Sequence, residues 1–307
     1  MNSVTVSALW YTLIKGTAGI WKTQDGDSLP VGDRGIAFDR QWLVVDETGM
    51  FVAQRRGSVT MPMVGQLNLP SAIGAGVEVR SMCQVAPSIQ GAELTVIAPN
   101  MKPLHLPALG VSGPEEQVVV WRDRHLLAVD QGREASAWFT EFLSRERAGT
   151  YRFMRMSDRC RRPSKNGDAT MGFHDGFPFL VISDESLANL NDLLRAKGES
   201  VVPADRFRSN VWLCGGEPHD EDHFSRIRIG EVVLEGGPLC DRCVVTCTNQ
   251  QTAERTHEPL ATLAEYRRGR EVGVEEKPNA VFFGRNFDHL NTGSIRIGDV
   301  VEILRLD

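Results

Sequence analysis

QWLVVDETGMFVAQR, residues 41–55, is the stretch that decides the fold class. Gln41 to Asp46 and Met50 to Arg55 are apolar, β-branched runs, and Glu47-Thr48-Gly49 between them is a short Gly-containing turn. Two such runs around such a turn predict a β-hairpin. Outward from it, Val4 to Ile14, Gly76 to Met82 and Glu93 to Ala98 are further strand-like runs, punctuated by Gly and Pro. Short strands at this spacing predict a sandwich or barrel over roughly the first 120 residues. No Gly-rich phosphate loop in a βαβ setting occurs there. Further on, IRIGEVV (residues 227–233) and IRIGDVV (residues 295–301) echo each other. Each reads as a tight hairpin, two hairpins of one barrel sharing one turn chemistry. Seven residues are too few to argue a domain repeat.

Helices are fewer. Arg133 to Arg145 places Ala135, Trp138, Phe139, Phe142 and Leu143 at helical spacing. Asp184 to Ala196 carries a Leu stripe and is followed by Gly198 as a stop signal. A third helix starts near Pro259 and runs to about Arg268. The expected fold is mainly β with α (α+β): an N-terminal β-barrel-like domain over residues 1–122, then a second β-barrel domain with peripheral helices over residues 123–307.

Composition narrows the function. A chain of 307 residues has room for two domains and needs no disulfide or metal merely to fold. Hydrophobic content of 41% and charged content of 24% exclude a disordered chain. Lys+Arg 34 against Asp+Glu 40, a net charge of −6, argues against a general nucleic-acid binder. No basic segment precedes an apolar run at the N-terminus, and no window reaches the roughly 18 apolar residues of a membrane helix. A cytoplasmic protein without a membrane segment is expected. Six cysteines are too sparse for a disulfide scaffold, which leaves metal or redox chemistry for any that function.

Three of those cysteines fall in GPLCDRCVVTC, residues 237–247. The Gly-Pro turn before and Val244-Val245-Thr246 after place Cys240 to Cys243 on a loop entering a strand, with Cys243 and Cys247 on one strand face. A structural zinc site would need Cys214 or a His to fold back as further ligand. A thioredoxin-like pair would precede a helix rather than a strand. A single thiolate ligand to a soft metal is helped by Arg242, since a guanidinium lowers a thiol pKa and binds phosphate. Packing of small buried residues is the plain alternative. Arg206-Phe207-Arg208-Ser209-Asn210 before the strand Val211 to Leu213 offers an anion fork and a heterocycle partner, or a solvated turn. Phe173-His174-Asp175-Gly176-Phe177-Pro178 offers a His-Asp pair, but strand neighbours point to opposite faces. The basic run Tyr151 to Asp168 reads as a solvated loop, a holder of an anionic cofactor or a dock for an acidic redox partner.

Together these segments resemble the MOSC proteins, named for the C-terminal domain of molybdenum cofactor sulfurase. More closely, they resemble members in which a β-barrel domain precedes MOSC: the mitochondrial amidoxime-reducing components and their bacterial counterparts. The matching segments are Leu13 to Gly19, Gly35 to Val45, Asp175 to Leu190, Arg206 to Asn210, Cys240 to Cys243, Glu258 to Leu263 and Gly293 to Asp299. The resemblance implies a molybdenum cofactor, a pterin dithiolene with a terminal phosphate. It implies Cys243 as the thiolate ligand to molybdenum and the catalytic position, with Asp241 and Arg242 as adjacent cofactor contacts. Arg208 and Asn210 would hold pterin and phosphate, Lys15, Gly16 and Arg40 would contribute from the first domain, and Gly176 and Phe177 from the segment before the Pro-Phe strand. The implied reaction is two-electron reduction of an N-hydroxylated substrate with N–O cleavage. Electrons would come from separate ferredoxin- or flavin-type partners, because no Cys-x4-Cys-x2-Cys cluster motif is present. A non-catalytic cofactor carrier or a sulfur-carrier MOSC protein is the alternative. The chain departs from the family pattern at Gly16 (Ser in the family), Phe177 (a small polar residue), Ser209 (Pro) and the additional Cys247.

Overall fold

The computed structural model describes residues 3–55 and 76–306. It is mostly β, with three α-helices among the described residues. Two compact units interleave along the chain. One comprises Met1–Thr12, Gly19–Asp39 and Arg162–Asp307; the other comprises Leu13–Ala18 and Arg40–Arg161. A single cut near residue 122 therefore does not describe the compact units, because two N-terminal segments join the C-terminal half.

In the first unit, eight strands run side by side in the order Ile20–Lys22, Thr5–Tyr11, Val211–Cys214, Phe179–Ser183, Phe282–His289, Val232–Asp241, Phe224–Ile229 and Val301–Leu306. The sheet curls until Thr5–Tyr11 meets the segment leading into the last strand. Val6 N donates to Asp299 O at 3.0 Å, Gly298 N to Val6 O at 2.9 Å and Val301 N to Val4 O at 2.8 Å. The expected C-terminal barrel is thus present. Its interior takes side chains from every strand but the edge strand Ile20–Lys22, among them Leu9, Phe179, Val181, Val211, Leu213, Ile227, Leu234 and Phe287. The intervening residues Leu180, Ile182 and Trp212 face outward onto Leu190, Leu194 and Leu263 of the helices. Both faces of Phe179–Ser183 are therefore apolar, and the whole strand is buried.

Among the described residues, the only parallel pair of strands inside this sheet is Phe179–Ser183 with Val211–Cys214. Such a pair needs a crossover, supplied by the helix Asp184–Ala196, which occupies the expected residues. Its start is fixed by Ser183 Oγ, which accepts from Ser186 N at 3.1 Å. The fully buried Glu221 carboxylate accepts from the hydroxyls of Ser183 at 2.9 Å and Ser186 at 2.7 Å. A short three-stranded sheet (Gly293–Arg296, Ser28–Gly32, Gly35–Ile36) adds Leu29, Val31, Ile36 and Ile295 to the same core.

The two echo segments fold differently. IRIGEVV is a hairpin, Phe224–Ile229 pairing with Val232–Asp241. IRIGDVV makes its turn, with Arg296 N donating to Asp299 Oδ2 at 2.8 Å, but its arms part. Gly293–Arg296 pairs with Ser28–Gly32 and Val301–Leu306 with Phe224–Ile229. The local turn chemistry is the same; the available partners decide the pairing.

The second unit holds a four-stranded sheet (Glu115–Val120, Asp123–Asp130, Tyr151–Met156, Trp42–Asp46) and a three-stranded one (Leu104–Pro107, Glu93–Ile97, Ala86–Gln90). Helix Arg133–Leu143 packs Phe139 on Phe153, ring centroids 4.8 Å apart. The opening hairpin is present: Val45 bridges Phe51, and Asp46 N donates to Met50 O at 2.9 Å. Gly76 to Met82 is a correction. Only Val77–Glu78 is extended, and Arg80–Gln84 is a 3-10 turn. The Glu146 carboxylate receives the N–H groups of Arg80 and Ser81 at 2.9 and 2.8 Å, which stabilises the turn over the strand. The first third of the basic run is also a strand, Tyr151–Met156. Its arginines pair internally, Arg152 with Glu116, Arg155 with Asp158 and Arg159 with Glu115. No helix among the described residues is long and apolar enough to cross a membrane.

Candidate cofactor site

The cysteine segment is built in the reverse of the expected order. The strand Val232–Asp241 leads into it, and Val244–Cys247 is a 3-10 turn rather than a strand. Gly236 and Gly237 permit this. Register shifts lie between Gly236 and Leu239 and between Leu239 and Asp241, and Arg285 Nε satisfies the bulged Gly237 carbonyl at 3.0 Å. The β-branched Val244 and Val245 overrule their strand preference because the Cys243 carbonyl accepts from Thr246 N at 3.1 Å and Thr246 Oγ1 at 2.9 Å. Cys243 thus stands at the N-cap with extended backbone. Cys247 does not share a strand face with it; its thiol is buried and donates to His257 O at 3.3 Å.

The Cys243 thiol is half-buried and makes no hydrogen bond among the described residues. Its neighbours are more committed. Arg242 Nη1 donates to Cys240 Sγ at 3.1 Å and Nη2 to Phe207 O at 2.6 Å, with the guanidinium 5.5 Å from the Phe207 ring centroid. Its Nε is buried with no partner among the described residues. Burial pushes the Cys240 thiol above its usual range, and Arg242 pulls it part of the way back. Asp241 points to solvent and pairs with Lys277 at 2.9 Å.

Arg242 ties this segment to the turn that carries Arg208 and Asn210. Arg208 is half-buried, sits at φ 58° and lays its guanidinium over the Trp10 indole, 4.9 Å from the centroid. Asn210 is almost wholly buried and serves the protein. Its Nδ2 donates to Asp39 Oδ2 at 2.9 Å, and its Oδ1 accepts from Leu180 N at 3.2 Å. His174 Nε2 meets the same Asp39 oxygen at 3.0 Å. The His-Asp pair is therefore real, but its acid is Asp39 and not the adjacent, exposed Asp175. Gly176 is buried, its carbonyl accepting from Lys165 N at 2.9 Å. Phe177 presses its ring onto Gly237, where a Cβ would come within 2.8 Å of the ring. The bulky residue at 177 and the glycine at 237 thus go together.

Cys243, Arg242 and the Phe207–Asn210 turn are brought together at one corner of the barrel unit. The second unit carries Lys15, Gly16 and Arg40. Lys15 is buried with Nζ 5.4 Å from the Phe51 ring centroid. Gly16 has φ +89°, where serine would be strained, and its carbonyl accepts from Gln54 Nε2 at 2.8 Å. Arg40 is half-buried at φ 50°.

Residues 168–302 match the MOSC domain family. The barrel unit carries a MOSC domain. Nearly the whole chain is homologous to curated relatives. It is 29% identical to mitochondrial amidoxime-reducing component 1 of Homo sapiens over 98% of this chain and 83% of the relative. It is 27% identical to mitochondrial amidoxime reducing component 2 of Homo sapiens over 97% and 82%. A molybdenum cofactor sulfurase of Oryza sativa subsp. japonica is 27% identical over 78% of this chain and 28% of that protein. Among solved structures, the YUAD protein of Bacillus subtilis matches 98% of this chain and 94% of its own, with TM-score 0.34 and 11% identity.

The donor set fits an anionic, sulfur-liganded metal group. It combines a thiol and a buried Arg242 Nε that have no hydrogen-bond partner among the described residues with a second guanidinium two residues before Asn210. No cluster of three His, Cys, Asp or Glu side chains suited to a metal occurs among the described residues. Cys214, the residue a zinc site would recruit, instead meets Thr5 Oγ1 at 3.3 Å. Sequence reasoning passed over Trp10, Asp39 and Phe207. Asp39 and Phe207 stood in matched segments, which was the available signal; Trp10 gave none.

Proposed function

We propose that the MOSC domain holds a molybdenum cofactor through Cys243 Sγ and that the protein reduces N-hydroxylated compounds such as amidoximes. Electrons would come from separate ferredoxin- or flavin-type donors, in the cytoplasm. The observation that carries the reading is the contrast at residues 242–243: a thiol without a hydrogen bond among the described residues beside a guanidinium fixed on both Nη atoms. The family relationship supplies the identity of the metal.

In this reading Cys243 ligates molybdenum, and Arg242 and Arg208 balance the negative charge of the dithiolene and phosphate. Both guanidiniums are pre-aimed, by Phe207 O and by the Trp10 ring, so little side-chain entropy is lost on binding. Asn210 acts on the backbone rather than on the ligand, because its amide bonds to Asp39 and Leu180 N. By resemblance alone, Lys15, Gly16, Arg40, Gly176, Phe177 and Asp241 are further proposed cofactor contacts. When bound, the cofactor supplies the two-electron chemistry; protein groups supply the ligand, orientation and electrostatics. The net change takes N–OH, two electrons and two protons to N–H and water.

The test is anaerobic reduction of benzamidoxime by the molybdenum-loaded protein with a chemical reductant. Turnover to benzamidine is expected. A loaded protein that does not turn over is a cofactor carrier, and a purified protein holding zinc instead defeats the reading.

A further inference from the structure

We propose that Asp39 and His174 are positioning residues for Arg208, acting through Asn210. The inference rests on Arg208 being a cofactor contact. Asp39 is wholly buried and lies between Phe38 and Arg40, which sit at φ 65° and 50°. Non-glycine residues there cost on the order of 1 kcal/mol each, so the surroundings hold the segment firmly. Oδ1 accepts from Thr12 N at 2.9 Å. Oδ2 takes Asn210 Nδ2 at 2.9 Å and His174 Nε2 at 3.0 Å. A carboxylate only accepts, so Nε2 of His174 carries the hydrogen in this contact. His174 is itself fixed, 2% exposed, with its carbonyl accepting from Arg162 Nη1 at 2.5 Å.

Asn210 passes this constraint to the turn. Its backbone N donates to Leu180 O and its O accepts from Trp10 N, both at 2.9 Å. Two residues earlier, Arg208 holds a left-handed backbone (φ 58°) and stacks on that same Trp10. The bonds around Asp39 therefore lock both the turn and the ring on which the guanidinium rests. Residue 174 needs a hydrogen-bond donor at the place of Nε2, not merely volume. Glutamine offers one; leucine does not.

The experiment measures the rate at which loaded, purified protein loses molybdenum on dialysis, with the unfolding midpoint recorded for each variant. His174→Leu and Asp39→Asn are expected to lose metal about tenfold faster, and His174→Gln to stay within about twofold of the parent. In an Arg208→Ala background, His174→Leu should add nothing, because both act on one contact. Parental metal retention in His174→Leu overturns the proposal. So does a double variant in which the two effects multiply. Should Asp39→Asn fail to fold, the two His174 variants decide alone. Molybdenum retained by Cys243→Ser would instead defeat the underlying cofactor reading, whatever the His174 variants do.

Discussion

The turn Phe207–Asn210 and the segment Cys240–Cys247 meet where Arg242 Nη2 donates to Phe207 O, yet they are built on opposite plans. In the turn, polar side chains are committed inward: Ser209 Oγ to Leu180 O at 2.9 Å, Asn210 to Asp39 and Leu180 N. In the cysteine segment, Cys240 and Cys247 are held by Arg242 and His257 O, while the thiol between them bonds to nothing described. The turn is scaffold carrying one outward cation. The segment is scaffold around one thiol that no described residue engages. Their removal should therefore register in different measurements.

Asn210→Ala should have the largest effect on stability, about 3 kcal/mol in denaturant unfolding, because it leaves Leu180 N and a contact of the buried Asp39 carboxylate unsatisfied. A loss under about 1 kcal/mol would break the account of the turn as scaffold. Arg242→Ala, which links the two regions, should cost about 1–2 kcal/mol by orphaning Phe207 O. It should also weaken metal retention, and lysine should not rescue it, since one ammonium cannot span Cys240 Sγ and Phe207 O as the guanidinium fork does. Cys240→Ala should change stability by less than about 1 kcal/mol and leave the metal content intact; loss of metal there would erase the distinction between the two thiols.

A pH experiment sharpens that distinction further. Burial holds the Cys240 thiol above its ordinary value of 9.0. The folded state therefore keeps a proton that the unfolded chain releases. The corresponding stability is present below pH 9 and is lost as pH rises through the folded value. Alkylation with iodoacetamide at pH 8 of the metal-free protein should accordingly label Cys243 before Cys240, read by peptide mass analysis. The reverse order would contradict the geometry.

Much of this was legible in residues close together in the chain. The helix Asp184–Ala196 has its stripe and its serine cap, and the strand before it is an unbroken apolar run. Arg242 beside Cys243 already marked that segment as a candidate site. What could not be read depends on partners far away. Asp39 finds His174 across 135 positions and Asn210 across 171, so the adjacent Asp175 was the only acid that local reading could offer His174. Val244-Val245-Thr246 has strand propensity, but the Cys243 carbonyl closes it into a turn. IRIGDVV has the same turn chemistry as IRIGEVV, but its arms pair with strands that only the folded barrel brings near. The interleaving of the two units is likewise invisible to composition.

The central claim is that Cys243 alone among the thiols ligates the metal. The most direct measurement is the molybdenum content of purified Cys243→Ser beside the parent and Cys240→Ala, all expressed in a cofactor-competent host, with unfolding midpoints recorded. The account predicts about one molybdenum per chain in the parent and in Cys240→Ala, and almost none in a Cys243→Ser protein that still folds with near-parental stability. Full molybdenum occupancy in folded Cys243→Ser, or zinc in the parent, would contradict it.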